Sequence, residues 1–182
     1  MTRTDDRGDE ASPTMVPAAD IGAFLDSWNG VAATLIDRHL TVSATSRLAE
    51  ALFPNLSRGV NLAREVFLGF APGTRPQCVT DTSPQVIAAL QAALASHEED
   101  DEFRRIVGEL STMSRDFSSA WANGTAPLSP HGILRSSHPT AGELTIRYQL
   151  LELATGSSDM LIVWQGADAD SESALGRLAP VG

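Results

Sequence analysis

The chain has 182 residues and a net charge of −10 at neutral pH, with 13 basic residues that are all arginine, a balance that argues against duplex DNA as the main partner because phosphate binding needs a clustered cationic face. Hydrophobic residues make up 42% and charged residues 20%, which excludes a wholly disordered chain. Cys78 is the only cysteine, so no disulfide framework or cysteine-rich zinc site can form within the chain; no apolar run nears the ~20 residues that span a bilayer, and the first residues, MTRTDDRGDEASP, lack the apolar core of a signal peptide. A cytoplasmic, soluble chain of one domain is the expectation, with no membrane contact.

Residues 1–20 are polar and acidic and read as a disordered leader. The folded unit is expected over residues 21–167, and residues 168–182 form a tail with one short helix near Ser173 to Leu178. Within the unit, Ile21, Phe24, Leu25 and Trp28 recur at helical spacing. Leu35 and Ile36, then Leu40 and Val42, flank a hairpin turn near Asp37 and Arg38. Ser46 is placed to cap a helix carrying Leu48, Leu52 and Phe53, which Pro54 stops. Asn61 caps the next, with Leu62, Val66 and Phe70 on one side. Pro72, Gly73 and Pro76 mark a loop that takes in Cys78, after which Pro84 opens a helix bearing Val86, Ile87, Leu90 and Leu94.

An acidic run, Glu98 to Glu102, leads into Phe103, Ile106, Val107 and Leu110, with Asp100 or Asp101 as cap. Ser114 caps one more helix, which holds Phe117 and Trp121. The period then changes from helical to alternating. ILRSSHP reads as a strand ended by Pro139. Leu144, Ile146, Tyr148 and Leu150 alternate with Thr145, Arg147 and Gln149, and MLIVWQ closes the series. Two strands, a helical block and three meandering strands predict an α+β fold: an antiparallel sheet of about five strands with the helices packed on one face.

Catalytic motifs are absent: the chain has no GxSxG elbow, Walker A loop, GxGxxG or HExxH. His39, His97, His131 and His138 show no metal-ligand spacing, and the seven residues between His131 and His138 put them on opposite faces of one strand. Cys78 has no evident activating base, and the acidic run lacks the glycine-centred turn of a calcium loop. The expectation is a non-enzymatic domain with no cofactor and no metal. The apolar stripe from Phe103 to Trp121 fits either a filled core or the wall of a pocket, and periodicity does not choose between them.

Four segments, in order, resemble the ligand-binding domain of MmyB-like transcription regulators of actinobacteria. Arg38 to Phe53 is similar to "rr.dvlaaN.aa.aLf", and Asn61 to Leu68 to "rNllr..Fl". Arg105 to Ala122 is similar to "LvGELS..S.eF..lWa", and His138 to Tyr148 to "HP.vGeL.l.Y". The resemblance spans about Phe24 to Leu178 and implies a PAS-like fold that binds an apolar, fatty-acid-like small molecule. Placed on the predicted elements, the expected pocket is lined by Leu52, Phe53, Phe67, Phe103, Ile106, Leu110, Phe117, Trp121, Ile146, Tyr148, Leu150 and Val163, with Tyr148 as the polar group facing inward.

The chain departs from the pattern in three places. Ser46 stands where the family has Asn, which keeps a cap but loses the second group of the amide. Asn123-Gly124-Thr125 replaces "HdV". Family members carry a helix-turn-helix domain ahead of the sensor, whereas only about 20 residues, acidic in character, precede it here; a stand-alone sensor, or a start downstream of the true one, is expected, with no direct nucleic acid binding by this chain. The alternative is an interaction module, forming a homodimer or a heterodimer with a related full-length regulator. A small enzyme ranks last.

Overall fold

A computed structural model describes residues 18–71, 74–96, 99–124, 127–153 and 158–179. Among these the chain forms α1 (Ala18–Asp26), β1 (Ala32–Ile36), β2 (Val42–Thr45), α2 (Arg47–Leu52), α3 (Leu62–Leu68), α4 (Gln77–Ser96), α5 (Asp101–Met113), α6 (Arg115–Asn123), β3 (His131–His138), β4 (Gly142–Glu152), β5 (Met160–Gly166) and α7 (Ala169–Leu178). The strands make one open antiparallel sheet in the order β2-β1-β5-β4-β3. The fold is α+β and PAS-like, with the helical block between β2 and β3 as the sequence predicts.

The sheet's two faces are treated differently. Its inner face carries Ile36, Val42, Leu144, Ile146, Ile162 and Trp164, which join one core with residues of α2 to α7. Among the described residues its outer face is covered only at the β1–β2 end, where Leu25 of α1 packs on Ala33, Leu35, Ala44 and Leu161. All five residues of β1 are therefore buried, whereas the outer-facing Arg147 and Gln149 of β4 are exposed. The alternation along β4 reflects one covered face and one wet one.

Local chemistry sets the helix starts. Ser46 Oγ accepts from the N–H of Ala49 at 3.2 Å and of Ala33 at 3.0 Å, and donates to the Val31 carbonyl at 3.3 Å. One hydroxyl thus caps α2 and ties it to β1 without an amide. Asn61 Oδ1 accepts from Arg64 N–H, while its Nδ2 donates to the His39 carbonyl at 2.7 Å. Asp100 caps α5 through Glu102 and Phe103 N–H, and Ser114 caps α6 through Phe117 N–H.

Four boundaries differ from the sequence reading. Helix α1 begins at Ala18 and leaves Phe24 exposed against Trp28 rather than buried. Pro84 sits inside α4, not in its first turn. Thr80, Thr82 and Ser83, in the turn before it, donate their hydroxyl hydrogens to the carbonyls of Pro76, Cys78 and Val79, four residues back; none of them reaches the Thr80 carbonyl that the missing proline N–H would have met. Cys78 therefore lies in the first turn of α4 rather than in a loop. Finally, α7 starts at Ala169, capped by Asp168, and buries Ala174 and Leu175. Its first turn rests on Gly166, where a Cβ would lie 2.3 Å from Glu172 N; only glycine admits that approach.

Candidate ligand-binding site

Helix α4 faces the β3–β4 half of the sheet with mostly short side chains, Val79 and Val86 among them. Cys78, Thr82, Gln85 and Ala89 recur at i, i+4, i+7 and i+11, one stripe of a helix. The larger Ile87 and Leu90 are fully buried in the core, and neither lines the cavity. Gln85 Oε1 accepts from Ser129 N–H at 2.7 Å, which anchors the helix to the segment leading into β3. Short side chains on a helix held at that position leave a gap, and a cavity of about 390 Å³ opens there, within the range of small-molecule sites.

Its floor is Leu134 and Ser136 of β3, Tyr148 and Leu150 of β4, and Ile162 and Trp164 of β5. Leu52, Phe53, Leu62 and Val66 close one end, with the Phe53 ring tilted on Trp164 at 5.3 Å. The exposed Pro54, Asn55, Pro76, Ser137 and Pro139 rim the mouth. A second compartment of about 330 Å³ shares Ala89, Leu128, Leu150 and Met160 with the first and extends past Ala92 and Ala93 to Arg38 and Glu152.

Most polar groups of the wall are already committed. Asn55 Nδ2 donates to Glu65 Oε1 at 2.8 Å, and Thr82 donates to the Cys78 carbonyl. His138 Nε2 lies 2.9 Å from the Ala51 carbonyl in the last turn of α2, while its Nδ1 accepts from the N–H groups of Thr140 and Ala141. These partners assign the Nε2–H tautomer, and they bolt the β3–β4 turn to α2. Arg38 reaches Asp100 Oδ2 at 2.9 Å, and His39 Nε2 reaches the same oxygen at 3.0 Å. The His39 hydrogen bond, helped by the N–H groups of Glu102 and Phe103, holds the Asp100 carboxyl below its ordinary value. Tyr148 and Ser136 are among the exceptions: neither hydroxyl has a protein partner among the described residues, and burial pushes the Tyr148 pKa up.

Of the residues expected to line a pocket, Leu52, Phe53, Tyr148 and Leu150 stand on this cavity. Phe67, Phe103, Ile106, Leu110, Phe117, Trp121 and Ile146 belong to a packed core and do not border it. There Phe117 makes an edge contact with Phe67 at 5.1 Å and stacks on Trp121 at 5.4 Å. Val163 points to the outer face, beside the cluster under α1. The roof is α4 rather than α5 and α6, and the stripe of small residues that makes room was the signal available in the sequence.

A half-open apolar chamber between an antiparallel sheet and an inserted helical block defines a PAS-like domain of the small-molecule-binding class. Residues 18–178 match the family model for the MmyB-like transcription regulator ligand binding domain, and the chain belongs to that family. The comparison with curated proteins found no significant match. Among the described residues no cluster of His, Cys, Asp and Glu could hold a metal ion, and no helix is long and apolar enough to cross a membrane.

Proposed function

We propose that the chain is a non-enzymatic sensing domain that takes an elongated apolar small molecule, in the cytoplasm, and relays its presence to transcription through a DNA-binding partner domain rather than through its own contact with DNA. The cavity beneath α4 carries this reading: it is walled by Leu, Ile, Val, Phe and Trp side chains and opens at one end. Hydrophobic transfer at ~25 cal/mol per Å² holds an alkyl chain there without dedicated polar chemistry.

Cys78 lines the cavity and is the only cysteine, so its alkylation by N-ethylmaleimide reports occupancy directly. A panel of medium- and long-chain lipids should slow that alkylation and raise Tm together, by about 2.7 kcal/mol of added stability at 100 times Kd. No protection and no Tm shift with any lipid of the panel would defeat the reading. A second reading, pairing with another copy or with a related regulator, is favoured by Ile133 and Leu151, which are 59% and 42% exposed on the outer sheet face. Sedimentation of the purified chain tests it, since a monomer at all concentrations would remove it.

A further inference from the structure

We infer that the cavity selects an uncharged ligand, an apolar molecule ending in a hydroxyl or carbonyl group, over the carboxylate of a free fatty acid; the inference rests on the sensing reading above. Among the described residues the wall gives a buried anion no cation to pair with. Among the described residues no arginine borders the main compartment, and the chain has no lysine. The charged side chain that does border it is Glu65. In the second compartment Arg38 is held by Asp100, and Glu152 shares the wall. A carboxylate drawn into this space loses water and gains no cation, and an unpaired buried charge is among the costliest groups to desolvate.

Several neutral donors that could stand in for a cation are spent. His138 has its Nε2–H on Ala51 and its Nδ1 under two backbone N–H groups, so no ring hydrogen faces the cavity. Beside the mouth, the N–H groups of Val79 and Thr80 in the first turn of α4 are taken by the Pro76 carbonyl. The hydroxyls of Tyr148, Ser136 and, at the rim, Ser137, the side-chain NH2 of Gln85 and the indole N–H of Trp164 have no protein hydrogen bond among the described residues, and all are uncharged. A hydroxyl both donates and accepts, which suits an alcohol or a carbonyl.

The placement of Tyr148 and Ser136 adds a length. Tyr148 pairs with Gly132 across the β3–β4 ladder, and a Cβ on Gly132 would lie 2.5 Å from Tyr148 Cε1 and 2.6 Å from its hydroxyl oxygen. The ring therefore lies across the glycine, in space no other residue would leave it. Gly132 and Ser136 are four residues apart on the same face of β3, about 13 Å at the usual strand rise, with Leu134 between them. The polar group at the Tyr148 end is thus separated from the one near the mouth by an apolar floor, and the ligand's alkyl body spans that floor.

The test uses the full chain with 1-dodecanol and sodium dodecanoate at pH 8, each titrated against Cys78 alkylation and Tm. Dodecanol should bind at least ten-fold more tightly than dodecanoate. Tyr148→Phe should weaken dodecanol about five-fold, the share of one hydrogen bond, with little effect on dodecanoate. Glu65→Gln should strengthen dodecanoate and leave dodecanol unchanged. Equal or tighter binding of dodecanoate to the unmodified chain would overturn the preference for a neutral ligand while leaving the sensing reading intact. Binding of neither probe would defeat both.

Discussion

The helices on the inner face use their apolar residues in opposite ways. Helices α5 and α6 send Phe103, Ile106, Leu110 and Phe117 into the core, where each is fully buried. Helix α4 turns Cys78, Thr82 and Ala89 toward the sheet and leaves a chamber. Both stripes have helical period, so period alone says which side faces inward and nothing about whether the space is filled. Side-chain volume along the stripe decides that: Phe, Leu and Ile close the gap, and shorter residues such as Cys78, Val79, Thr82, Val86 and Ala89 hold it open.

The contrast is sharpest under truncation. Phe117→Ala should cost about 3–5 kcal/mol, the usual penalty for an emptied aromatic site, and at this chain length lower Tm by roughly 10 °C. Leu150→Ala, which enlarges a space already present, should cost less than half as much in a urea titration. Equal losses would mean that the cavity wall is packed as tightly as the α5–α6 core.

Filling is the converse. Ala89→Phe should leave the apo Tm within about 3 °C while abolishing the lipid-induced shift, because the ring takes ligand volume rather than displacing neighbours. The same change at the fully buried Ala63 should cost about 1–3 kcal/mol by overpacking. Thermal melts of the two variants side by side, with and without lipid, check this.

The smallest effect is also the most local. Tyr148 is the only tyrosine, so absorbance of the phenolate reads one group. Burial places its folded pKa above the ordinary 10.0, and unfolding in denaturant should return it there. Because the folded value is the higher one, the stability linked to neutral Tyr148 is fully present below pH 10 and is lost as pH rises through the folded value. An occupied cavity should move the folded midpoint higher still.

Much of the scaffold was legible because its signals are local. Leu144, Ile146 and Tyr148 alternate in sequence and face inward in the sheet, and Ser46, Asn61 and Ser114 sit where a side-chain oxygen can meet the N–H three residues on. The start of α4 was hidden by Pro84, which reads as a first-turn residue and in fact lies seven residues inside the helix. Finding the cavity needs the separation between α4 and the sheet, a tertiary quantity set partly by Gln85 and Ser129. Leu52, Phe53, Tyr148 and Leu150 were within reach of pattern reading because they are inward-facing wherever the roof lies. Phe103 and Phe117 were placed on the site by their helical stripe, and their bulk puts them in the core.

The strand order carries a consequence for how the chain comes to exist. Strand β5 lies between β1 and β4, so Ala32 meets Trp164 and Tyr148 meets the same residue from the other side. Until Met160–Gly166 has left the ribosome, the hairpins β1–β2 and β3–β4 have no common neighbour, and the sheet is two separate ribbons. Closure of the sheet then waits on one late segment, which makes for slow folding and a nascent chain with apolar edges in need of shelter. A stop codon just before Met160 would leave most of the sequence and none of the shared sheet.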